Sequence, residues 1–216
     1  MEQPPLYLFS GLGADERMFR HLRLHHPHPQ HIRWIPALAN EPLPAYARRL
    51  LDQLEPTAEP PILLGLSFGG MVAQEVAKLI PVKKVILLSS LRCGPDLPWY
   101  YRLAGALRLH QWLPFGVLRK WQRPLDWAFG AKTEEDRRLL KTIVLETELP
   151  FLRWALHQIL YWQQPQPNPN YVSIHGDRDK ILPLRLHPNT LVVKGGEHLM
   201  LLNRAPEVSA LLNQWL

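Results

Sequence analysis

One cysteine, Cys93, is all the thiol that the chain carries in 216 residues. It cannot close an intramolecular disulfide or build a Cys-rich zinc module, and nothing in the fold demands an oxidising compartment. No stretch approaches the roughly 18 consecutive apolar residues of a membrane-spanning helix, so no membrane span is expected. The opening residues, Met1-Glu2-Gln3-Pro4-Pro5, lack the basic stretch and apolar run of a secretory leader, and the expected location is cytoplasmic. There is no internal repeat. Charged residues make up only 20% against 46% hydrophobic, a globular composition far from that of disordered chains. The net charge of +6 comes from scattered Lys and Arg, often beside acids as in Glu134-Glu135-Asp136-Arg137-Arg138. No nucleic-acid-binding motif accompanies that charge, and no nucleic-acid partner is expected.

What is present is a series of strand-sized apolar runs: Leu6 to Phe9, Ile32 to Ile35, Ile62 to Leu66, Val85 to Leu88, Tyr171 to Ile174 and Leu191 to Val193. Their near-continuous apolarity predicts strands covered on both faces, the situation of a parallel sheet flanked by helices. Helical periodicity lies between them at Ala45 to Leu54, Phe68 to Leu79 and Pro206 to Leu216. Strand alternating with helix predicts right-handed βαβ crossovers and one doubly wound domain, residues 1–90 and 166–216, split by an insertion at 91–165.

The insertion reads as helical. Leu97 to Leu109 and Phe115 to Trp121 read as short helices, Thr133 with Asp136 as a capping-box start of a helix toward Glu148, and Pro150 as the opening of another running to Trp162. Six of the eight tryptophans fall there. They suit either the core of a small helical layer or an aromatic wall facing a ligand.

The strongest chemical signal is Gly65-Leu66-Ser67-Phe68-Gly69, set between a strand and a helix. A nucleophile at such a sharp turn takes strained backbone angles, and the flanking glycines let neighbouring backbone approach. The following helix N-terminus favours negative charge developing at the serine. Serine alone is a poor nucleophile and needs a histidine base with a carboxylate to orient it. Candidates follow as acid and then histidine, after two later strands: His175-Gly176-Asp177-Arg178-Asp179-Lys180 and Gly195-Gly196-Glu197-His198. Both segments leave the C-terminal ends of strands, where open α/β sheets bind ligands.

With this elbow, the H-G-x-x-D-x-x-x-P loop at 175–183 and the G-x-H at 196–198, the chain resembles the α/β-hydrolase family over essentially its whole length. The resemblance implies a six-stranded parallel sheet lacking the family's usual first two strands, with the helical insertion as a cap. It implies Ser67 as nucleophile, His198 as base and Asp179 as the acid, with Asp177 left to turn or ion-pair contacts and Asp96 as the alternative acid after the preceding strand. His175 reads as structural. The Ser10-Gly11-Leu12 loop is similar to the family's oxyanion loop, with Ser10 where many members have histidine, and it implies the Leu12 and Phe68 N–H groups as oxyanion donors. The implied reaction is hydrolysis of a small or medium apolar carboxylic ester, or thioester, through an acyl-serine, with no cofactor and no metal. The same scaffold also serves cofactor-free perhydrolysis, carbon–carbon bond hydrolysis and acyl transfer, or ligand binding without turnover.

Several other features carry less. His21, His25, His26, His28 and His31 lie in a Pro-containing segment that reads as solvated loop, Cys93 as a small core or loop residue, and Met71, Leu199 and Met200 as helix packing beside the site. A monomer or homodimer is expected.

Overall fold

The structure, a computed structural model, describes residues 3–216 apart from 57, 113 and 119. Strands β1 (Leu6–Phe9), β2 (Pro29–Ile32), β3 (Ile62–Leu66), β4 (Lys84–Leu88), β5 (Tyr171–Gly176) and β6 (Thr190–Val193) form one all-parallel sheet in the order β2-β1-β3-β4-β5-β6. Alternation along each strand explains the continuous apolar runs. Tyr7, Phe9, Leu63, Val85 and Leu87 point to one face, where helices α1 (Leu43–Leu50) and α2 (Phe68–Val76) bury Tyr46, Leu50, Val72 and Val76. Leu6, Leu8, Leu64, Ile86, Leu88 and Ile174 point to the other. There they meet α9 (Met200–Asn203) and α10 (Ala205–Leu212), which supply Leu201, Val208 and Leu212. A sheet sandwiched in this way needs apolar side chains at odd and even positions alike.

Between β4 and β5 the elements are all helical among the described residues: a 3-10 turn at Gly94–Asp96, then α3 (Trp99–Ala106), α4 (Leu109–Trp112), α5 (Phe115–Leu118), α6 (Gln122–Phe129), α7 (Glu134–Glu146) and α8 (Leu149–Tyr161). Thr133 caps α7 through a full capping box with Asp136. None of the helices formed by the described residues is long and apolar enough to cross a membrane.

Three expectations are corrected. The second strand runs Pro29–Ile32, three residues upstream of the apolar run. It is an edge strand paired only with the four residues of β1, so its ladder ends at Ile32↔Phe9 and Trp34 and Ile35 turn away over the sheet's rim. The helix expected at 97–109 breaks at Arg108, whose φ of +53° is left-handed, and restarts as α4. Phe115 to Trp121 shortens to α5, with residue 119 outside the described residues, and a further helix, α6, follows it.

The chain moves outward from β1 to β2 and then steps back past β1 to β3. The C-terminal ends of β1 and β3 therefore flank the point where the winding reverses, the crevice in which open α/β sheets bind ligands.

Candidate active site

Ser67 stands at that crevice, between β3 and α2, with φ +51° and ψ −119°. Such a conformation costs about 1–3 kcal/mol and persists only when its surroundings over-determine it. Here they do. The Ser67 N–H donates to Leu88 O at 2.8 Å, and the Ser67 carbonyl accepts from Ser90 Oγ at 2.6 Å and from Gly70 N–H at 3.0 Å. The glycines complete the turn by their missing side chains: a Cβ on Gly65 would press into the backbone of Gly70, and one on Gly69 into the carbonyls of Phe9 and Ser10. Gly69→Ala is therefore expected to destabilise the fold by about 3 kcal/mol, seen as a fall in Tm of roughly 6–12 °C. Gly11→Ala is the control for thermal unfolding, because the nearest atom to its added Cβ lies 3.8 Å away, and its Tm should move little.

The three side chains named from the sequence meet at the C-terminal rim of the sheet. His198 Nδ1 lies 2.8 Å from Asp179 Oδ2, and His198 Nε2 lies 3.0 Å from Ser67 Oγ. Asp179 is buried; burial alone would raise its carboxyl pKa. The His198 ring, His175 and the Leu182 N–H outweigh that and hold the carboxyl well below the usual carboxylate range. An ionised carboxylate only accepts, so Nδ1 of His198 must carry the proton and Nε2 is left to accept from the Ser67 hydroxyl. Asp179 Oδ1 takes the N–H groups of Ile181 and Leu182, both at 2.9 Å, which fixes the carboxylate plane. His175 Nε2 donates to Leu182 O at 2.7 Å and sits 3.3 Å from Asp179 Oδ2, a supporting place for that loop. Asp177 accepts the Gly195 N–H at 2.6 Å, a turn contact. Asp96 pairs with Arg92 at 2.7 Å and lies in a different ion pair from His198.

Two backbone amides border the serine. Phe68 is the first residue of α2, whose leading N–H groups have no intrahelical acceptor. Leu12 lies in the turn after β1, and its N–H donates to no acceptor among the described residues. The carbonyl on the other side of its peptide plane, that of Gly11, accepts from Trp34 Nε1 and Ala14 N–H, each at 3.0 Å. Because a trans peptide is planar, fastening the Gly11 C=O fixes the opposed direction of the Leu12 N–H. Thr147, at the junction of α7 and α8, packs on Gly13 and donates to its carbonyl at 3.3 Å.

The family profile described as "Alpha/beta hydrolase family" matches residues 6–211. The chain belongs to the α/β-hydrolase family. No curated protein matches the sequence. Among solved structures, this α/β-hydrolase is similar to a thermophilic esterase from Thermogutta terrifontis, at 20% identity and a TM-score of 0.69, covering 99% of this chain and 89% of that one. It is similar to an epoxide hydrolase from Bacillus megaterium, at 13% identity and a TM-score of 0.68, covering 98% and 92%. A bromoperoxidase from Bacillus anthracis matches at 18% identity and a TM-score of 0.65, covering 98% and 91%. At these identities the likeness is one of fold.

Sequence reading missed three residues around the site of this α/β-hydrolase. Trp34 joins Phe68, Tyr46, Phe151 and Trp154 in one aromatic cluster, its ring 5.6 Å from that of Phe68. Phe129, at the end of α6, stands edge-on to the His198 ring at 5.4 Å and accepts the Leu199 N–H through its carbonyl. Thr147 is the third. No local motif marks any of them; they act through tertiary contact. Glu197 locks the two catalytic-side loops together by pairing with Lys180 at 2.5 Å and Lys132 at 3.1 Å. Burial would raise its carboxyl pKa, but the two lysines outweigh burial and lower it.

A 190 Å³ cavity begins at Gly13 and Trp34 and is walled by Glu146, Thr147 and Phe151. Through Pro36, Glu148 and Phe151 it adjoins a 550 Å³ groove that ends at His110 and His157. Met71, Leu199 and Met200 are buried in the apolar layers. The groove is lined by the rings of Phe151 and Trp154 and carries charges at Glu148 and Arg153, while Glu146 lines the smaller cavity.

Proposed function

We propose that the protein is a serine hydrolase of small or medium carboxylic esters, or thioesters, acting through an acyl-Ser67 intermediate. The observation that carries this reading is the unbroken hydrogen-bonded chain from Asp179 through His198 to Ser67 Oγ. Ser67 Oγ attacks the acyl carbonyl as its proton passes to His198 Nε2, and Asp179 stabilises the imidazolium that forms. The carbonyl oxygen gains negative charge and is held by the N–H groups of Phe68 and Leu12. His198 hands its proton to the departing alcohol or thiol, leaving the acyl group on Ser67. The same histidine then takes a proton from water, whose oxygen attacks the acyl carbon, and returns that proton to Ser67 Oγ as the acyl–oxygen bond breaks and the acid leaves. Residues 91–165 serve as a cap over this rim, with Phe129 against His198 and Phe151 against Trp34. We assign the apolar portion of the substrate to the cavity that begins at Gly13 and Trp34, next to the Gly11–Leu12 turn.

The experiment is treatment with a fluorophosphonate followed by intact-mass measurement and peptide mapping, beside a panel of p-nitrophenyl esters and acyl thioesters. A single adduct on Ser67 together with ester turnover is expected. The fold likeness to a bromoperoxidase favours one second reading, perhydrolysis with the same three residues, in which peroxide takes the place of water. Peroxide-dependent halogenation without ester turnover would select it.

Trp34 acts in this scheme as a positioning residue for the Leu12 amide. Trp34→Phe keeps an aromatic ring against Phe68 and removes the bond to Gly11 O, an interaction worth about 0.5–1.5 kcal/mol. The expected result is kcat reduced roughly three- to tenfold with KM nearly unchanged, since the donor serves an oxyanion that exists only in the transition state. A change in KM alone would assign Trp34 to the groove wall instead.

A further inference from the structure

Most of the large hydrophobic side chains that remain exposed are on the helical insertion, and they are densest on α3 and α4. Trp99, Leu103 and the capping Leu107 recur every four residues and so form one stripe along α3, with Tyr100 beside it, and Leu109 and Trp112 are exposed on the next helix, α4. Trp99 is 68% exposed and Trp112 85%. Packing of the insertion does not require them. The inner side of α3 is docked by Gly105, which lies close against Leu160 and whose carbonyl accepts from Tyr161 Oη at 2.5 Å. Tyr101, also turned inward, has its hydroxyl pKa pushed up to about 12 by burial, with Tyr100 and the Asp179 charge adding to the rise. A helix that buries its own contacts and still presents tryptophan and leucine outward has the hydrophobic pattern of a surface made to be covered.

Charge identifies what covers it. Residues 97–125 contain five Lys or Arg, at 102, 108, 119, 120 and 123, and no Asp or Glu. Arg102 and Arg108 are exposed beside the apolar stripe. A second copy bound through the same patch would set each basic set against its twin, because a two-fold interface is self-complementary. An anionic lipid surface answers both features: tryptophan and leucine enter the boundary between headgroups and acyl chains while the basic residues meet the headgroup charge. We infer that α3 and α4 dock the protein onto anionic lipid surfaces. The inference rests on exposure and charge, and it stands apart from the acyl-serine reading. If that reading also holds, α3 presents its inner side to the Asp179 end of the site and its outer side to the lipid.

The test is co-sedimentation of the full chain with large unilamellar vesicles of phosphatidylcholine, with and without about one-third phosphatidylglycerol. Binding is expected to the anionic vesicles, weakening about tenfold between roughly 0.1 and 0.5 M NaCl, with a blue shift of tryptophan fluorescence. Arg102→Glu with Arg108→Glu should weaken it roughly 20-fold. Leu103→Ser with Trp112→Ser should abolish it while Tm and the far-ultraviolet spectrum stay as in wild type, since both side chains are exposed. Ser67→Ala should bind as wild type does, so that loss of turnover and loss of docking are read separately. Failure to pellet with anionic vesicles overturns the inference, as does equal binding to pure phosphatidylcholine. So does a concentration-dependent dimer in sedimentation velocity that Leu103→Ser dissolves, because the patch then belongs to a second copy.

Discussion

Ser67→Ala should yield a protein that unfolds cooperatively near the wild-type Tm and has lost about 10⁴- to 10⁶-fold in ester turnover. The fold survives because the elbow is held through its backbone: Leu88 O, Ser90 Oγ and Gly70 N–H all contact main-chain atoms of residue 67, and alanine keeps every one of them. Only the Oγ bond to His198 is lost. Chemistry does not survive, since no other hydroxyl is placed by a hydrogen bond on His198 Nε2 among the described residues. His198→Ala should cost a similar factor, and the double variant should be little worse than either single one, because the pair acts as one unit. The fluorophosphonate adduct should vanish in Ser67→Ala. Turnover within tenfold of wild type, or an adduct mapping to another residue, would remove Ser67 from the nucleophile's place.

The parts of this arrangement that were legible in the sequence are those written in local pattern. Ile62–Leu66 was readable as a strand because both its faces are buried, and Gly65, Ser67 and Gly69 were readable as an elbow because backbone crowding there excludes side chains. Pro29–Ile32 was not readable, because an edge strand bears polar Gln30 and His31 where an inner strand would be apolar, and the apolar Trp34 and Ile35 beyond it mimic a strand. The tryptophans of the insertion could not be sorted from composition. Trp154 and Trp162 turn inward, their Nε1 groups donating to Glu41 O and Glu75 Oε1, both at 2.7 Å, while Trp99, Trp112, Trp121 and Trp127 face outward. Which role each takes depends on where a polar acceptor waits in another element, and no window along the chain contains that information. The same holds for Trp34, whose indole finds Gly11 across 23 positions of sequence.

Asp179→Asn should cut kcat by about 10³- to 10⁴-fold, and Asp96→Asn should leave it within about twofold. An asparagine at 179 can still accept the Ile181 and Leu182 amides through its carbonyl oxygen, which turns its NH₂ group toward His198 Nδ1. The imidazole must then accept at Nδ1 and carry its proton on Nε2, the tautomer that cannot take a proton from Ser67. Asp96 instead neutralises Arg92, where it is largely buried. Its loss leaves that guanidinium with the Tyr171 hydroxyl and His187, and should appear as a stability cost of about 1–3 kcal/mol with activity per folded molecule retained. Acid unfolding separates the two variants a second time. The Asp179 carboxyl is held below its unfolded value, so its ionisation adds stability that is complete above about pH 4 and is lost as pH falls through the folded-state value. Asp179→Asn should therefore flatten the acid limb of the stability curve, starting from a lower plateau at neutral pH. If Asp96→Asn cripples turnover while Asp179→Asn does not, the orienting carboxylate follows β4 rather than β5, and the hydrogen bond from His198 to Asp179 would be structural.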